Sequence, residues 1–292
     1  MDSKRDIPLA TGVCAEVACL LEVTARKAGN VHGEKEFADT RFVDFVLSAA
    51  AIGPVLAAAE GSGVGATVLK AMQATRRLVK PNTNLGILLL LAPLAAVPRE
   101  TPLVDGLPEV LRRLNIDDAR LVYEAIRLAG AGGMGEVERQ DIRAAPTQTL
   151  AEVMSLAADR DLIARQYGND FHDVLHDGAP FLRDAWTNVD WERAIQWTHL
   201  RFIAAQGDTL IARKRGPAES AEASRRARSV LAAGFPAAAG EAPFAAFDAW
   251  LRQDGNARNP GTSADLVTAC LFSGLREGWL KMPLPAQSQQ AP

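Results

Sequence analysis

Apolar residues recur at three- and four-residue intervals through most of the chain. Over residues 12–27, Val13, Val17, Leu20, Leu21 and Thr24 share one helical face. Residues 41–59 repeat the pattern with Phe42, Phe45, Val46, Ala49, Ile52 and Leu56, and residues 65–79 with Val68, Leu69, Met72 and Leu78. Pro81 then interrupts, and Asn82, Thr83 and Asn84 precede the longest apolar run, residues 87–97. Asn and Thr suit a helix start because their side-chain oxygens accept the unpaired amide hydrogens of the first turn. Pro93 lies within the run, which is far shorter than the ~18 residues needed to cross a bilayer and predicts a buried, kinked helix.

Further helices are predicted over 104–114, 117–128, 150–166, 190–212, 219–233 and 263–280; the last turns Leu266, Val267, Cys270, Leu271 and Leu275 inward. No alternation of four or more residues marks a strand, and no strand–helix–strand rhythm appears. Residues 131–136 are glycine-rich, but no strand precedes them and no Lys-Ser/Thr follows, so they predict a loop rather than a nucleotide cradle. Residues 235–243 predict a surface loop, and the Pro/Gln/Ser-rich residues 283–292 a disordered tail. The expected fold is all-α, a single compact multi-helix domain over residues 1–282 without internal repeats.

Composition agrees. Of 292 residues, 48% are hydrophobic and only 6% aromatic, so the apolar share is carried by the helix formers Ala and Leu together with Val. A net charge of −3 argues against nucleic acid as partner. Residues 1–9 are charged and lack the apolar core of a signal peptide. Cys14, Cys19 and Cys270 form no C-x-x-C pair, which predicts reduced, buried thiols in a cytoplasmic protein with no membrane association. An apolar helical face left exposed on such a fold can serve a homodimer.

Four segments carry polar groups that packing alone does not require. Residues 22–32, EVTARKAGNVH, end a helix at Lys27 and break at Gly29-Asn30; helix capping accounts for both positions. Residues 80–86, KPNTNLG, make a helix start that can hold an anion or simply be capped. Residues 207–216, GDTLIARKRG, set Asp208 near a helix end, ahead of the basic run Arg213, Lys214 and Arg215. A carboxylate beside cations suits Mg²⁺ with a polyphosphate, and equally an exposed ion-pair patch. Residues 259–266, NPGTSADL, turn at Pro-Gly, after which Thr262 or Ser263 caps a helix and Asp265 completes a capping box. His172 and His176 have the i, i+4 spacing of zinc ligands, but the Glu of the zinc-protease pattern and a third ligand are missing, so no metal is expected there.

Together, in this order, the four segments resemble the triphosphoribosyl-dephospho-CoA synthase family, from about residue 14 to residue 277. Glu22, Lys27 and Gly29 match its E-V-x-x-x-x-K-x-G motif, and Asp44 a following Phe/Asp-rich segment. Asn82, Thr83 and Gly86 match N-T-H-K-G, with Asn84 and Leu85 where the pattern has His and Lys. Asp208 and Thr209 match D-T-N, and residues 260–266 match P-G-G-S-A-D-L with Thr262 for the second Gly. Losing His and Lys replaces two groups able to bind phosphate or protonate a leaving base with an amide and a hydrocarbon, which sets the chain on a divergent branch.

The resemblance implies an ATP-dependent transferase that releases adenine and joins a triphosphoribosyl group through ribose C1 to the 2′-hydroxyl of dephospho-CoA. The same chemistry on another acceptor, in biosynthesis of a pterin-type C1 carrier, is the alternative. A nucleoside hydrolase and a non-catalytic nucleotide-binding protein are further readings. The expected roles are Asp208 and Asp265 for Mg²⁺ or the sugar hydroxyls, with Glu22 as base or second metal carboxylate. Lys27, Arg213 and Lys214 are expected on phosphates, and Asn82 and Asn84 on base or ribose. Gly29, Asn30, Asp44, Thr83, Gly86, Gly261 and Ser263 complete the expected nucleotide site.

Overall fold

Fifteen α-helices make up most of the computed structural model, which describes residues 8–130, 142–282 and 284; no strand occurs among the described residues. The order is α1 (Thr11–Thr24), α2 (Phe42–Leu56), α3 (Ala59–Ser62), α4 (Val64–Leu78), α5 (Leu85–Ala96), α6 (Leu103–Arg112) and α7 (Ile116–Ala129). After these come α8 (Leu150–Ser155), α9 (Leu162–Gly168), α10 (Ala179–Asn188), α11 (Trp191–Gln206) and α12 (Thr209–Arg215). The chain ends with α13 (Pro217–Ala232), α14 (Glu241–Leu251) and α15 (Gly261–Arg276). A π-helical turn, Asp173–Gly178, precedes α10, and a 3-10 turn, Ala238–Gly240, precedes α14. The glycine-rich residues 131–136 and most of the expected tail lie outside the described residues.

α5 and α15 form the axis. α5 is apolar on every face and buried from Ile87 to Ala95, as expected for a helix with packed neighbours all round. It packs against α15, α4, α6, α3 and α9. Tyr167 of α9 donates its hydroxyl to the Leu89 carbonyl at 2.6 Å, which satisfies a buried phenol. α1 packs against both α2 and α15. A second, smaller cluster gathers Leu200, Ile203, Ile211, Ala227, Val230, Phe247 and Leu251 from α11 to α14.

Three sequence expectations are corrected. The helix expected over 150–166 is two helices, because Asp161 ends the turn between them and caps α9 through the amides of Ile163 and Ala164. The helix expected over 190–212 breaks at Gly207, whose φ of 73° favours glycine and whose missing side chain leaves room for Ser220. Residues 235–243 are not simply a loop: they contain the 3-10 turn and the start of α14. In addition, Thr262 and Ser263 lie inside the first turn of α15 rather than ahead of it, and the N-cap position is Pro260. The capping box that would have explained Asp265 is therefore not formed.

Candidate active site

Where the two clusters meet, a cavity of about 740 Å³ opens among α1, α5, α7, α8, α9, α12, α13 and α15. Of the expected site residues, Glu22, Asn30, Asn82, Thr83, Asn84, Gly86, Arg213, Gly261 and Asp265 line it. They come from segments up to 243 positions apart, so only the packing brings them together.

α5 and α15 both point their N-termini at this space, supplying partial positive charge and unpaired amides suited to an anion. The α5 end is held by short local bonds: Asn82 Oδ1 accepts from Leu85 N at 3.2 Å, and the Asn84 amide donates to Thr75 Oγ1 at 3.0 Å. Thr83 Oγ1 meets Ser48 Oγ of α2 at 2.6 Å. Gly86 is required here, since a Cβ would collide with the Asp265 carboxylate. The α5 N-terminus and Asp265 are thus in van der Waals contact.

Two carboxylates face the cavity in different states. Glu22 is buried and paired with the Lys27 ammonium, Oε1 to Nζ at 2.9 Å. Burial raises the Glu22 pKa above the ordinary range, and Lys27 opposes the rise. Asp265 receives no hydrogen bond or ion pair among the described residues. Burial, then the charges of Glu22 and Asp208, push its pKa well above the ordinary carboxylate value. Beside this pair, Arg213 lines the wall and holds Asp161 at 3.0 Å.

Several expected roles are corrected. Asp208 is fully buried and does not line the cavity; both its oxygens are committed. Oδ1 accepts from Leu210 N and Ile211 N at 2.9 and 3.2 Å, and Oδ2 from Ser263 N and Oγ at 2.7 and 2.8 Å. One carboxylate thereby caps α12 and fixes the first turn of α15, so Asp208 is a latch with no lone pair for a metal. Ser263, its partner, is likewise spent.

Lys27 is no phosphate ligand: its side chain is 0% exposed and its ammonium bonds Glu22 and the carbonyls of Glu22 and Ala25. Lys214 turns away to the Asn256 carbonyl and side chain. Gly29 donates its amide to Asp248 at 2.8 Å, and Asp44 pairs with Arg41 at the start of α2; neither lines the cavity.

The sequence expectations omitted Arg160, Asp161, Thr209 and Thr262, all of which line the cavity. Thr209 and Thr262 join α12 to α15 through their hydroxyls at 3.1 Å. An Asp immediately ahead of an apolar Leu-Ile pair was the available signal for Asp161 as a helix start.

Two buried histidines feel the Lys27 charge. His199 touches the Pro260 carbonyl at 3.3 Å, and burial with the nearby Lys27 charge lowers its pKa to about 3, so it is neutral. His32 is lowered to about 4 chiefly by burial. Elsewhere His172, Asp173 and Asp177 bring ligand atoms within 4.8 Å of one another. Asp173 already accepts from Arg165 and Gln166, and none of the three lines the cavity. All three cysteines are buried and free, and no helix among the described residues is long and apolar enough to cross a membrane.

The family model CitG, ATP:dephospho-CoA triphosphoribosyl transferase, matches residues 9–283. A crystal structure from Archaeoglobus fulgidus, assigned as a triphosphoribosyl-dephospho-CoA synthase, is similar to this chain with a TM-score of 0.67 and 26% identity. The similarity covers 82% of this chain and 100% of that one. No curated protein matches the chain significantly.

Proposed function

The chain belongs to the ATP:dephospho-CoA triphosphoribosyl transferase family, and from that premise we propose that its cavity is where ATP loses adenine to an alcohol acceptor. In the balanced step, the ribose C1–N bond of ATP breaks and a C1–O bond to the acceptor 2′-hydroxyl forms. The hydroxyl proton leaves and the departing adenine gains one. The observation that carries the proposal is one cavity combining two helix N-termini, Arg213 and two inequivalent carboxylates.

The roles follow from the partners. The triphosphate suits the N-termini of α5 and α15 together with Arg213, where amide hydrogens and a guanidinium meet phosphate oxygens. Glu22 is the base for the acceptor hydroxyl: Lys27 favours its ionised form, and burial raises its basicity above that of an ordinary carboxylate. Asn82, Thr83 and Asn84 offer directed hydrogen bonds to ribose or base.

Mg²⁺ fits Asp265 and does not fit Asp208. A carboxylate without protein donors, crowded by like charge, is what a divalent cation relieves, and Mg²⁺ is commonly held by one or two carboxylates plus substrate phosphates. When bound, Mg²⁺ would neutralise the triphosphate and hold it in register with C1.

Dephospho-CoA is the acceptor that the family description supports. The alternative, a pterin-type acceptor, is favoured only by Asn84 and Leu85 on the cavity wall, where the family pattern has His and Lys. Incubation with ATP, Mg²⁺ and either dephospho-CoA or a cell extract, with free adenine and product masses followed, separates them. Adenine formed only with dephospho-CoA supports the first acceptor, and adenine formed only with extract supports the alternative. Adenine without any acceptor signals hydrolysis, and no adenine in any mixture refutes the transfer.

A further inference from the structure

The cavity has an apolar end that the chemistry above leaves unused. Val122 and Ile126, one turn apart on α7, and Leu150, Val153 and Met154 of α8 line it. An aliphatic wall in an open cavity gains most from a ligand that covers it with apolar surface. Contacts order the cavity from this end to the carboxylates. Arg160 follows α8 and bonds the Leu156 carbonyl at 3.4 Å; its neighbour Asp161 pairs with Arg213. Thr209, one turn before Arg213, bonds Thr262, and Asp265 lies one turn beyond Thr262.

We infer that the apolar end is the acceptor subsite, which takes the amide-linked aliphatic arm of dephospho-CoA while Arg160 meets the diphosphate. The inference rests on the proposed function, because the acceptor has the same order as the cavity: arm, diphosphate, then the ribose that reacts. Adenine, the rival occupant, would set ring nitrogens and an amino group against five side chains without a conventional hydrogen-bonding group. Arg160 lines the cavity and, unlike Arg213, pairs with no carboxylate among the described residues, so its guanidinium is open to a phosphate.

The probe is 4′-phosphopantetheine, which carries arm and phosphate but no nucleotide. Calorimetry on the full chain is expected to show binding that dephospho-CoA displaces and ATP does not. Val153→Trp fills a half-buried position on the wall and should weaken binding roughly 10- to 100-fold, the equivalent of two or three methyl-sized groups. Arg160→Ala, at an exposed position where folding is not at risk, should weaken it about tenfold or more through the phosphate. Absence of binding, displacement by ATP, or indifference to Arg160→Ala overturns the inference. Adenine release by the unmodified protein with dephospho-CoA tests the proposed function separately, so the two failures are distinguishable.

Discussion

Asp208→Asn and Asp265→Asn exchange the same atoms at two acids that the fold brings near one turn of α15, and should fail in opposite ways. At Asp208 the substitution keeps one acceptor oxygen, enough for Leu210 and Ile211, and turns an amide NH₂ toward the Ser263 N–H and hydroxyl. Two charge-assisted bonds of ~1.5–3 kcal/mol each are at stake, and one buried N–H is left without an acceptor. Relief of the buried charge and rotation of the Ser263 hydroxyl recover part of this, so the net loss is ~3 kcal/mol. At roughly 2–4 °C per kcal/mol for a protein near this size, the melting temperature should fall by about 6–12 °C. Turnover per folded molecule should drop by less than about tenfold, because the carboxylate itself lies outside the cavity.

Asp265→Asn loses no protein donor and removes a charge crowded by Glu22 and Asp208, so its melting temperature at neutral pH should be unchanged or higher. Its adenine release should fall by ~10²-fold or more, the usual scale for a lost electrostatic or acid–base group. Differential scanning fluorimetry beside an adenine-release assay reads both. If Asp208→Asn melts like the unmodified protein and yet loses turnover as Asp265→Asn does, Asp208 reaches the substrate and the latch assignment is wrong.

Arg213→Ala should raise the KM for ATP about 10- to 100-fold with a smaller change in kcat, since one charge-assisted phosphate contact is worth ~1.5–3 kcal/mol; initial rates at varied ATP check this. Lys27→Met leaves Glu22 buried without its cation and should destabilise by ~3–5 kcal/mol in urea unfolding, whereas a phosphate-binding lysine would change the KM for ATP and leave stability alone. His199 is neutral in the fold with its pKa lowered to about 3, so its contribution to stability is fully present above about 6.5, the unfolded value, and is lost as pH falls towards 3. That window corresponds to about 5 kcal/mol, and urea unfolding of His199→Gln should show a shallower loss between pH 6.5 and 4 than the unmodified chain; equal slopes would refute it.

The helical class, the buried α5 and the positions of most helices were legible in the sequence, because each depends on residues three or four apart. The breaks at Asp161 and Gly207 were missed because the apolar period continues across both, and the stop comes from a cap and a close approach by Ser220. The four polar segments were also legible as a set, and all four contribute residues to one cavity. Their individual duties were not. Asp208 and Asp265 look alike in sequence: each is an acid within two residues of a Ser or Thr, in a polar segment beside a helix terminus. The fold separates them, because Ser263 reaches back 55 positions to complete the bonding of Asp208, while no described residue donates to Asp265. Lys27 and Arg213 are both cations, but packing encloses the first against Glu22 and leaves the second on the cavity wall. Secondary structure is decided by near neighbours along the chain and can be read there. A carboxylate's proton affinity and its freedom to bind a ligand depend on which distant donors and charges surround it, and only the tertiary packing supplies those.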